Sequence, residues 1–244
     1  MPGMFLYLTL AACGCGVALL VWRYDLYEKE PWWMVLTTLA LGAGASAGVG
    51  PIEDITLRSM RAASGIASRA AVAATHEEAA KLLGVMLIAV VFRRQFNDPL
   101  DGLVYGAYFG LGMAVEESLY YMRFAGPLWT LPAAEIVRLV GHPMLGGIAA
   151  FGLGLLPAKS RSWPLGVAGG LIAAIGLHFA WDVLADITAI AAPPLAWYTP
   201  AAVGLMLTGC GVFGMLVVTG ARLSRQLRPE ARGRLWAWPF RGGG

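Results

Sequence analysis

Residues 67–92 read ASRAAVAATHEEAAKLLGVMLIAVVF. As a helix this stretch is about 39 Å long at 1.5 Å per residue, enough to cross a hydrocarbon layer of roughly 30 Å. Yet its middle carries His76, Glu77, Glu78 and Lys81. Ionisable groups at such depth are costly and mark a site. On a helix Lys81 lies four residues from Glu77 and three from Glu78, so it can neutralise either carboxylate and leave the other free. The plain alternative is a helix that enters the membrane late, with His76 to Lys81 as a solvated turn; the apolar stretches on both sides, Ala67 to Ala74 and Leu82 to Phe92, argue against it, though Arg69 keeps the entry point open.

The rest of the chain fits a membrane setting. Of 244 residues 58% are hydrophobic and 14% charged, and the mean hydropathy is +0.64. A soluble domain of this size does not need so much apolar surface to fill one core. The fold class expected is all-α, a polytopic membrane bundle of about seven transmembrane helices. The spans run roughly Met4–Trp22, Trp32–Gly50, Ala67–Phe92, Leu103–Phe124, Ile136–Leu156, Leu165–Ile187 and Tyr198–Gly220. Residues 1–220 then form a single membrane domain and residues 221–244 a basic, otherwise unstructured tail on anionic headgroups.

With seven spans, one face collects Arg23, Lys29, Arg93, Arg94, Lys159, Arg161 and the arginines of the tail, while the other has Arg58, Arg61, Arg69, Arg123 and Arg138. The bias of basic residues places the C-terminus in the cytoplasm and the N-terminus outside. Leu10 to Cys13 has the outline of a lipoprotein cleavage box, but no positive charge precedes it, so a retained first helix is expected. Cys13, Cys15 and Cys210 lack CxxC spacing and read as small buried hydrophobes. Gly102, Gly106 and Gly110 recur every four residues and form a small-residue seam leading to Glu117; further groups stand at Gly42, Gly44 and Gly48, and at Gly166, Gly169 and Gly170.

Further polar residues sit inside the apolar spans. Glu116 and Glu117 point about a hundred degrees apart, so one can face the interior while the other faces a neighbour or the interface. His142 opens the apolar part of the fifth span, preceded at helical spacing by Arg138 and Glu135. His178 and Asp182 are four apart and share a face. A carboxylate one turn from an imidazole can fix its tautomer. Asp186 continues that stripe toward the surface. The zincin pattern HExxH is absent, because Ala80 stands where the second His is required.

In this order the residues resemble the PrsW family of intramembrane proteases, placed with the CAAX prenyl proteases in a wider superfamily of membrane-embedded glutamate proteases. The matching pieces are Tyr24-Asp25 with Glu28-Lys29-Glu30-Pro31, the EExxK motif from Glu77 to Lys81, Asp98 to Gly106 running on to Glu117, His142 to Gly154, and His178 with Asp182. Ser118 stands where the family usually has Asn, and Asp182 where its last motif commonly ends in Asn; an ionised Asp cannot donate to an oxyanion as Asn does.

The resemblance implies peptide-bond hydrolysis in membrane-anchored protein substrates, of which anti-sigma factors are the known type. Glu77 or Glu78 would activate water, Glu117 and His142 would bind or orient it, His178 with Asp182 would stabilise the oxyanion or act as a second acid, and Lys81 would hold one glutamate. No cofactor is favoured; the alternative is zinc held by some of Glu77, Glu78, Glu117, His142 and His178. Two other classes of function use similar residues: a proton-coupled transporter, against which the lack of an internal repeat speaks, and a non-catalytic scaffold for a prenyl chain or partner helix. The partners expected are the lipid bilayer and a membrane-anchored protein, with no nucleic acid.

Overall fold

The computed structural model describes residues 2–25, 29–60, 65–124, 130–190 and 197–227. The expected tail from 228 onward, with Trp236 and Trp238, lies outside the described residues, as do Glu28 and Arg61. The described chain is all helical: α1 Pro2–Tyr24, α2 Trp32–Ser59, α3 Ile66–Val91, α4 Asp101–Phe124, α5 Ala133–Gly154, α6 Trp163–Ile190 and α7 Tyr198–Leu227. In lipid a helix is the one open-ended element that satisfies its own backbone, so an apolar chain of this kind has few other choices. Five helices, α1, α2, α5, α6 and α7, are long and apolar enough to cross a membrane. The other two, α3 and α4, have 26 and 24 residues and carry Arg69, Glu77, Glu78, Lys81, Asp101, Glu116, Glu117 and Arg123 between them. The protein is a multi-pass membrane helix bundle.

The expected spans are all present, with two differences at their ends. Helix α2 does not stop at Gly50 but passes through Pro51 to Ser59, which brings Glu53 and Thr56 onto the bundle. Helix α7 continues through Arg222 and Arg225 to Leu227, so the first part of the expected unstructured tail is helical.

Helix α4 is the axis of the bundle, with every residue from Asp101 to Ala114 buried. Its glycine seam meets α5 with no side chain between the two backbones. A Cβ added at Gly102, Gly106 or Gly110 would lie 2.4, 2.2 or 2.1 Å from the carbonyl oxygen of Ala150, Gly146 or His142 respectively. The order of these pairs makes α4 and α5 antiparallel. On its other face α5 meets α6 as closely, through Gly152 against Gly166 and Val167, and through Gly170 against the Ile148 carbonyl. Gly42 and Gly112 bring α2 onto α4 in the same way, whereas Gly44, Gly48 and Gly169 face open space.

The start of α4 is locked by the Asp98-Pro99-Leu100-Asp101 segment. Asp98 Oδ1 accepts the Leu100 N–H at 2.9 Å, and Asp101 Oδ2 accepts the N–H groups of Asn97 and Asp98 at 2.6 and 2.7 Å, a reciprocal cap of donors that the helix itself leaves open. Ser224 on α7 donates to Asp98 Oδ1 at 2.5 Å. Nearby, Tyr105 donates to Glu30, and the Glu30 N–H bonds to Asp25 Oδ2 at 2.9 Å. The Tyr24 to Pro31 motif and the Asp98 to Gly106 motif therefore meet each other, at the end of α4 remote from Glu117.

Candidate active site

Glu77 and Glu78 lie on α3, 11 and 12 residues from its start at Ile66, roughly 16 to 18 Å along the axis. Their neighbours come from three other helices. Glu117 reaches in from α4, His142 from α5, and His178 with Asp182 from α6. The structure brings all six sequence-predicted residues into one site, together with Lys81.

Within it the two glutamates part company. Glu78 is fully buried, and its Oε1 pairs with Lys81 Nζ at 2.5 Å and His178 Nδ1 at 2.7 Å. Lys81 thus selects Glu78 of the two carboxylates open to it. Glu77 Oε2 stands 3.5 Å from His142 Nδ1 and 4.0 Å from His178 Nε2. Neither contact is a hydrogen bond: Glu77 Oε2 and His142 Nδ1 are buried without a hydrogen-bond partner, as is Glu78 Oε2. The His142 and His178 rings meet edge to face at 5.4 Å.

The far nitrogen of each imidazole is engaged by a carboxylate. His142 Nε2 faces Glu117 Oε2 at 3.2 Å, and His178 Nδ1 faces Glu78. An ionised carboxylate only accepts, so this network assigns the protons to Nε2 of His142 and Nδ1 of His178. The remaining nitrogen of His142, Nδ1, then faces Glu77, and that of His178, Nε2, faces Asp182 at 3.5 Å and Glu77 at 4.0 Å. One carboxylate oxygen and two imidazole nitrogens, all within 4.8 Å of one another, are a set of atoms able to donate to a cation. The donor types and the backing carboxylates are those of a divalent metal site. The residues fit a zinc-class ion.

Asp182 plays a different part from the one its spacing suggests. It lies 3.5 Å from His178 Nε2, on the Glu77 side of the ring, so Glu78 and not Asp182 holds the imidazole from behind. Exposure rises outward from the centre. The side chains of His178 and His142 are 6% and 9% exposed, those of Glu117 and Asp182 23% and 28%, and Asp186, paired with Arg69 at 3.0 Å, 40%. The site is thus most open past Asp182 and Asp186, toward the end of the bundle where α3 begins and α6 ends.

Three participants were not singled out from the sequence. Arg138 pairs with Glu117 Oε1 at 3.3 Å and with Glu135. Glu53 on α2 has a buried Oε1 with no hydrogen-bond partner and lies within electrostatic reach of His76, Glu117, His178 and Asp182. Thr56 meets His76 Nε2 at 3.3 Å. Helical spacing from His142 was the signal for Arg138; Glu53 and Thr56 lie beyond Gly50, the expected end of the second span. Glu116, beside Glu117, has no part in the contacts described.

Comparison with known proteins places the chain in a family. The family described as PrsW family intramembrane metalloprotease matches residues 30–221, which contain every site residue above. Protease PrsW of Geobacillus kaustophilus (strain HTA426) is 31% identical over 149 residues, covering 60% of this chain and 65% of that protein, so the match spans just under two thirds of the relative's length. No solved structure matches.

Proposed function

The chain belongs to the PrsW family, and from that premise we propose that it is an intramembrane endopeptidase whose centre is a divalent cation site formed by Glu77, His142 and His178. The observation that carries this reading is the gathering of one carboxylate oxygen and two imidazole nitrogens within 4.8 Å of one another, with a carboxylate behind each imidazole. A zinc-class ion held there would lower the pKa of bound water and polarise the scissile carbonyl.

The chain's own residues do the remainder. Glu117 and Glu78 keep the two imidazoles in the tautomers that bind. Lys81 neutralises Glu78 and fixes its Oε1, which leaves Oε2 to take a proton from water and return it to the leaving amine. Asp182, nearer the mouth, meets the substrate beside the scissile bond. The substrate class is a membrane-anchored protein with a segment that can unwind into the site, of the anti-sigma-factor type.

A metal-free form of the same hydrolysis, the one expected from ligand spacing, has a specific observation in its favour: a proton shared among Glu77, His142 and His178 would also resolve the facing lone pairs, with Glu77 as the base. The two forms separate on one experiment. The purified chain is reconstituted with a single-span substrate of the anti-sigma-factor type, and cleavage is followed before and after rigorous chelation alongside elemental analysis. The cation reading expects about one zinc-class ion per chain, loss of cleavage on removal and recovery on return. Glu78→Gln should bind zinc about 10–100-fold more weakly, and at saturating zinc should still lose about 10²–10⁴ of turnover. Cleavage that persists in a metal-free preparation rejects the cation form in favour of the metal-free one.

A further inference from the structure

We propose that Arg138 is a positioning residue for the cation site, fixing through Glu117 the orientation in which His142 presents Nδ1 toward Glu77. The inference rests on the cation reading above.

Arg138 precedes His142 by one turn of α5 and its side chain is 18% exposed. Its guanidinium is held on three sides. Nε meets Glu117 Oε1 at 3.3 Å, Nη1 donates to Glu135, and the group lies over the Tyr121 ring at 4.7 Å. A planar fork with partners on both edges and one face has a single orientation.

That orientation divides the oxygens of Glu117. Oε1 is taken by Arg138, so Oε2 is the atom left for His142 Nε2 at 3.2 Å. Glu117 is 23% exposed and has room to turn toward water once Arg138 is gone. His142 would then lose the acceptor that keeps its proton on Nε2, and with it the directed lone pair on Nδ1.

The same wiring exists on the other side of the centre. Lys81, Glu78 and His178 run cation, carboxylate, imidazole in that order; Arg138, Glu117 and His142 run likewise. Both chains end on Glu77. The EExxK motif makes the first visible in sequence, while the second is assembled from α4 and α5 and shows there only in the i, i+4 spacing of Arg138 and His142.

The test measures zinc affinity of the full chain in detergent, by competition with a chromophoric chelator. Arg138→Gln should bind zinc about 10–100-fold more weakly. The decisive measurement is a double-mutant cycle. If Arg138 acts through Glu117, then Arg138→Gln in a Glu117→Gln background adds little, whereas a general effect on the fold adds in full. Should Arg138→Gln fail to fold, Arg138→Lys keeps the charge without the fork and should lose at least about threefold in affinity. Wild-type affinity in the variant that folds, or additive losses in the cycle, overturns the proposal. A wild-type chain that binds no zinc removes the cation reading itself, and this inference with it.

Discussion

Lys81 is fully buried and paired to a fully buried Glu78, so the two charges hold each other in an apolar helix. Removing one partner strands the other: Lys81→Met should destabilise the protein by roughly 3–5 kcal/mol, read as a fall in thermal unfolding temperature in detergent. Adding Glu78→Gln should recover part of that loss while leaving the protein inactive. A double variant no more stable than Lys81→Met would mean that the pair does not account for the cost. The sequence presented Lys81 with two glutamates on the same helical face and no means of choosing between them, because i+3 and i+4 are both good spacings. The choice comes from His178, a hundred residues away, which adds a second donor to Glu78 Oε1. Asp182 was harder to place for the same reason. Its spacing puts it next to His178 but does not say on which side of the ring it stands.

At the scale of the element, the position of His142 depends on how closely α5 can approach α4. Gly110 lies directly under the His142 carbonyl, and a methyl group there would stand 2.1 Å from that oxygen. Gly110→Ala should therefore force the two helices apart, costing about 1–3 kcal/mol, and should lower zinc affinity as well. Gly44→Ala on α2, with nothing within 4 Å, should be neutral or stabilising by up to about 1 kcal/mol. Comparison of the two unfolding temperatures checks the argument; equal losses would show that proximity to His142 is irrelevant. The i+4 glycine repeat was legible in sequence as a seam, and so was each helix, since apolar length and turn residues mark them plainly. What no single sequence carries is register between helices. Glu53 and Arg138 entered the site only when α2 was found to run past Pro51 and α5 was seen against Glu117.

At the scale of the whole molecule, the basic residues divide the two faces unequally, and the site opens on the face with fewer of them, where α3 begins. The charge bias predicts that this face is extracytoplasmic. In a chain whose Cys13, Cys15 and Cys210 are replaced by Ser, a cysteine at Arg58 should react in intact cells with a membrane-impermeant maleimide, and one at Lys159 only after lysis. The reverse pattern would invert the topology, and with it the side from which a substrate must arrive.

The contacts of α5 have one more consequence, for motion. Helices usually slide over one another by letting side chains in the interface change rotamer, but at its glycine contacts α5 meets α4 and α6 backbone to backbone, and Gly42 and Gly112 join α2 to α4 in the same way. Helices α2, α4, α5 and α6 form a stiff block that carries Glu117, His142 and His178 as one body. The displacement needed to admit a polypeptide then falls to α7, whose Gly204, Gly211 and Gly214 face open space and whose Gly209 and Gly220 meet only side chains. Geometry at the reacting atoms and compliance at the mouth are thus assigned to different helices by the distribution of a single residue type.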